Sequence, residues 1–73
     1  MRRRITVNGA RVDLESVVMP EGDFVLAHVN GELLAAVRFG DDLGDTTASE
    51  MALAAVAYRL ARHHGSGSHL SAA

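Results

Sequence analysis

A chain of 73 residues without cysteine buries one small core at most and has no disulfide to staple it, so oligomerisation is the expected supplement. Hydrophobic residues make up 48%, but only Phe24, Phe39 and Tyr58 are aromatic and much of the rest is alanine, so each buried position removes little area from water. The net charge of −2 gives no general attraction for phosphate, and the longest wholly apolar run, MALAAVAY at 51–58, is far too short to span a bilayer.

MRRR at residues 1–4 has the charge of a signal-peptide start, but Thr6, Asn8, Arg11 and Asp13 interrupt the apolar stretch that such a peptide needs next. No targeting segment and a cytoplasmic location are therefore expected. VNG at 7–9 returns at 29–31. Asn-Gly is the strongest short hairpin signal, because a type I′ turn needs positive φ at both central residues. With Asn8 and Gly9 as the loop, Ile5 faces Val12 and Arg3 faces Leu14 on one surface. On the other surface Thr6 faces Arg11, Arg4 faces Asp13 and Arg2 faces Glu15. Opposite charges then lie directly across the strands, which accounts for the arginines as a solvated hairpin face.

Pro20, Glu21, Gly22 and Asp23 read as a turn, so SVVM at 16–19 prolongs the second strand or forms a short edge segment. The same two-residue rule applied to Asn30 and Gly31 pairs Leu26 with Ala35 and Phe24 with Val37. It predicts a core face of Phe24, Leu26, His28, Leu33, Ala35, Val37 and Phe39. Val25, Ala27, Val29, Glu32, Leu34, Ala36 and Arg38 then fall on an outer face that is still apolar through its middle.

From residue 46 the period changes from two to about 3.6. Thr47 and Glu50 fit a capping box, which places the helix start there. Gly65 fits the left-handed terminator, preceded by Arg59, Arg62, His63 and His64 at the negative end of the dipole. One stripe of the helix holds Leu53, Val56 and Leu60, flanked by Ala52 and Ala57, while Met51, Ala55 and Tyr58 form a second stripe on nearly the opposite side. GSGSHLSAA, 65–73, has the composition of a flexible tail, leaving residues 1–64 as the domain.

Chemistry-bearing constellations are sparse. DDLGD, 41–45, matches the DDxxD pattern of isoprenyl diphosphate synthases, but that family sets the motif on a helix in a large all-helical cavity, for which this chain is too small. His63, His64 and His69 end a helix or sit in the Gly/Ser tail, without the surrounding structure that fixes metal ligands. His28 stands alone on a sheet face with no carboxylate or serine partner evident. No nucleophile elbow, phosphate loop or dinucleotide fingerprint is present. No catalytic residue, cofactor or metal is expected, and the chain does not read as an enzyme.

The order strand, strand, Ala-rich helix is similar to the second half of a double-stranded RNA-binding domain. That family clamps phosphate with lysines at the helix start, where this chain has TTASEM with Glu50 and an acidic loop upstream. GDTTASEMAL, 44–53, resembles the helix opening of HicB-type antitoxins, whose small α+β domain neutralises a toxin, and the resemblance implies a regulatory protein partner.

The expected fold is α+β: an antiparallel meander of three or four strands with two Asn-Gly hairpins and one C-terminal helix on one face. The expected function is a non-enzymatic, self-associating protein-interaction module, regulatory or antitoxin-like. Its dimer contact is expected on Met51, Ala55 and Tyr58 or on Val25, Ala27 and Leu34. The alternative is a nucleic-acid-binding dimer presenting Arg2, Arg3, Arg4 and Arg11.

Overall fold

The computed structural model describes the backbone of residues 1–40 and 42–72 and the side chains of residues 1–40 and 42–62. Four antiparallel strands, β1 (Arg2–Val7), β2 (Ala10–Met19), β3 (Gly22–Val29) and β4 (Glu32–Phe39), form one sheet in the order β1-β2-β3-β4, with a C-terminal helix, α1 (Asp45–Ala72), after them. This is the α+β meander that the two turns and the change of period imply.

Both Asn-Gly pairs adopt the primed turn. Asn8 and Gly9 have φ of 50° and 79°, and Asn30 and Gly31 have 53° and 80°. That twist matches the right-handed twist of the flanking strands. The first hairpin has the expected register, with Arg2 opposite Glu15, Arg4 opposite Asp13 and Ile5 opposite Val12. SVVM belongs to β2, and Met19 pairs with Gly22 across Pro20 and Glu21. Proline locks its own φ negative, so the primed geometry is closed to this turn. Positive φ falls on Gly22 instead, at 143°.

The second hairpin departs from expectation beyond its tip. His28 pairs with Leu33 and Val29 with Glu32, but Ala27 pairs with Ala35, Leu26 with Ala36 and Phe24 with Arg38. Leu34 is therefore the extra residue of a β-bulge, and one extra residue reverses the facing of everything beyond it. The expected core face of Phe24, Leu26 and His28 is the outer face. Val25, Ala27 and Val29 point inward instead, with Ala35, Val37 and Phe39 beside them.

α1 packs across β4 and β3 and touches β1. Val12, Leu14, Val25, Ala27, Ala48, Ala52 and Val56 have no exposed surface, and Leu34, Leu43, Leu53 and Leu60 are partly buried around them. The buried helix stripe runs at every fourth residue through Ala48, Ala52 and Val56, rotated from the expected Leu53, Val56 and Leu60. Ala27 of the sheet and Ala48 and Ala52 of the helix are all fully buried in this core, so small side chains make up much of it.

The helix begins earlier than the expected box. The Gly44 carbonyl accepts from Ala48 N–H at 3.0 Å, which makes Gly44 the N-cap and puts Asp45 in the first turn, where a negative charge suits the dipole. Thr47 and Glu50 are exposed, inside the helix and not at its cap. Buried Ser49 donates its hydroxyl to the Asp45 carbonyl at 2.7 Å, which satisfies the one buried polar side chain among the described residues. The helix bounds run past Gly65, where termination was expected. The side chains from residue 63 onward lie outside the described residues, and with them the expected division between domain and tail.

Candidate functional site

Among the described residues, the sheet is covered on one face only. On the other, the cross-strand pairs place Arg4, Asp13, His28 and Leu33 in one row, Arg2, Glu15, Leu26 and Ala36 in the next, and Val17, Phe24 and Arg38 in a third. Charge thus collects on β1 and β2, while an apolar patch of Val17, Phe24, Leu26 and Leu33 spans the end of β2, β3 and β4. Leu33 is 51% exposed and the other three are half-buried by their neighbours.

The charged half pairs internally. Arg4 Nε donates to Asp13 Oδ1 at 2.8 Å, and Arg2 lies 3.5 Å from Glu15 Oε1. The Arg4 hydrogen bond holds the Asp13 carboxyl below the usual carboxylate range, against desolvation and with the help of the nearby charges of Arg4 and Arg11. Arg3 faces the other way, opposite Leu14, and Arg11 stands opposite Thr6 beside the first turn. The four arginines offered for nucleic acid therefore do not form one free patch: Arg2 and Arg4 face acids, and Arg3 is on the opposite surface.

The residues expected to join two copies are split by the fold. Val25 and Ala27 are fully buried inside the chain's own core, and Leu34 is packed against that core as the bulge residue. The surface assigned to them belongs to the helix contact, because the bulge turned β3 over relative to β4. On α1, Met51 is 48% and Tyr58 62% exposed, whereas Ala55 is half-buried at the edge of the contact. Ala54 lies between Met51 and Tyr58 on the outer side and is exposed. The missed apolar residues are those of the open sheet face, Val17, Phe24, Leu26 and Leu33.

An open groove of about 790 Å³ lies between the later part of α1 and the tip of the β3–β4 hairpin, floored by Val29, Leu34 and Leu60, with Tyr58 and Arg59 on its wall. Among the described residues its polar lining is Asn30, Glu32, Tyr58, Arg59 and Arg62. The half-buried His28 stands beside Asp13 on the open sheet face, and its side chain makes no hydrogen bond among the described residues. Asp41 and His63, His64 and His69 lie outside the described side chains. Among the described residues, no group of three or more metal-ligating side chains gathers, and no helix is long and apolar enough to cross a membrane.

Both sheet edges carry features that discourage further strand pairing: three successive arginines on β1, and the bulge on β4. No family model matches the chain, and no match was found among curated proteins or among solved structures.

Proposed function

We propose that this chain is a non-enzymatic protein-interaction module that associates with itself, in a regulatory or antitoxin-like role and with a cytoplasmic location. The observation that carries the reading is apolar surface that one helix on one sheet leaves uncovered: Val17, Phe24, Leu26 and Leu33 on the open sheet face, and Met51 and Tyr58 on the outer side of α1. Large apolar side chains gathered into patches on so small a domain mark contact sites. A two-fold partner hides both copies of such a patch at once.

Light scattering over a concentration series tests the reading. A mass of twice 7.7 kDa or more at micromolar concentration is expected. A stably folded chain that keeps a single-chain mass to high micromolar concentration overturns it.

A further inference from the structure

We propose that two copies join through the outer face of α1 as an antiparallel helix pair, with Met51 of each copy set against Ala61 of the other and Ala54 against Tyr58. The proposal rests on the self-association reading and names its surface.

Thr47, Met51, Ala54, Tyr58 and Ala61 all lie on the exposed side of α1. Their spacing of four, three, four and three residues is that of a coiled-coil seam, distinct from the inward stripe through Ala48, Ala52 and Val56. Large and small residues alternate along it. A parallel in-register pair would set Met51 on Met51 and Tyr58 on Tyr58, with Ala54 facing Ala54 across a gap. The antiparallel pair puts every large side chain opposite an alanine, so the two surfaces interdigitate at uniform depth.

Charge selects the same direction. The start of the helix and its approach carry Asp42, Asp45 and Glu50, and the later turns carry Arg59 and Arg62. In the 51-to-61 register Glu50 of each helix lies at the level of Arg62 of the other, and the two dipoles oppose. A parallel pair stacks like on like. The Arg62 guanidinium sits 5.5 Å from the Tyr58 ring centroid and donates to the Tyr58 hydroxyl at 3.3 Å, which ties the ring to the next turn of its own helix.

Cysteine placement reads out the register, since the chain has no cysteine of its own. Positions 51 and 61 on one helix are about 15 Å apart along its axis, beyond disulfide reach, so any disulfide in Met51→Cys/Ala61→Cys joins two chains. Both positions are exposed, so folding should be retained, and circular dichroism checks this. Under mild oxidation the double variant is expected to form linked dimers at least about tenfold faster than Met51→Cys or Ala61→Cys alone. Single variants that link as readily as the double overturn the antiparallel register. A double variant that does not link while light scattering shows the unmodified chain as a dimer overturns the helix seam and leaves self-association standing. A monomeric unmodified chain overturns both.

Discussion

Leu14 of β2 and Ala27 of β3 stand opposite each other in the sheet, and neither has any exposed surface. The pair fixes which side of β3 faces α1, and that makes a volume test possible. Ala27→Leu inserts three carbons into a fully buried position and is expected to cost about 1–3 kcal/mol. Ala36→Leu, on the open face and exposed, should stay within about 0.5 kcal/mol of the parent. Urea unfolding midpoints at equal protein concentration decide it, and a larger loss for Ala36→Leu would mean that the sheet faces are assigned the wrong way round.

Legibility in the sequence differed between the hairpins. In the first, the Asn8-Gly9 turn and the apolar set Ile5, Val12 and Leu14 agree, so tip and register could be read together. In the second, Asn30-Gly31 marks the tip, but LLAA at 33–36 carries no glycine or polar break at the bulge, and either parity of that strand is apolar. The usable signal lay elsewhere: a two-residue turn at Pro20 and Glu21 carries the inward parity of Val12 and Leu14 directly to Val29 and Ala27. On the helix, weighting large side chains favoured Leu53 and Leu60 as the centre of the buried stripe. The fully buried positions beside Val56 are instead Ala48 and Ala52. Met51 and Tyr58 were readable as outward because helical period alone opposes them to Val56.

Turn geometry gives the second prediction. Gly9→Val and Gly31→Val force a β-branched residue to positive φ, and each is expected to cost about 1 kcal/mol or more, although open space surrounds both glycines. Gly22→Ala meets a further obstacle, since its Cβ would lie 2.6 Å from Arg38 Nε at a φ of 143°. The strain at that φ is on the order of 1–3 kcal/mol. Adding Arg38→Ala to Gly22→Ala should recover only the steric part, measured again by urea midpoints.

Asp13 supplies a pH test with a defined sign. Its carboxyl is held below its ordinary range in the folded chain, first by the Arg4 hydrogen bond. A depressed folded pKa contributes stability above the unfolded pKa, and that contribution is lost as pH falls through the folded value. Asp13→Asn should therefore narrow the stability gap between neutral pH and pH about 3, and Arg4→Gln should do the same. Unchanged pH dependence in both variants would remove the ion pair from any account of the acid limb.

The pairing of Arg2 and Arg4 with acids also bears on nucleic acid. No salt-sensitive binding to a labelled single- or double-stranded oligonucleotide is expected near physiological salt. Fluorescence anisotropy checks this. An affinity that falls steeply between about 50 and 200 mM salt and drops in Arg2→Ala/Arg3→Ala would instead support the arginine patch.

Finally, the two uncovered surfaces can be separated by charge. Tyr58→Asp places a carboxylate at the middle of the α1 seam and removes the ring that Arg62 orients. Leu26→Asp does the same at the centre of the open sheet face. Both positions lie outside the buried core, so both variants should fold. If the helices form the contact, Tyr58→Asp weakens dimerisation at least about tenfold and Leu26→Asp leaves it near the parent value. The reverse pattern would move the contact to Phe24, Leu26 and Leu33 and free α1 for another role. Light scattering across the same concentration series used for the unmodified chain distinguishes the two, because a shift in the midpoint of assembly is read directly and needs no assumption about the partner face.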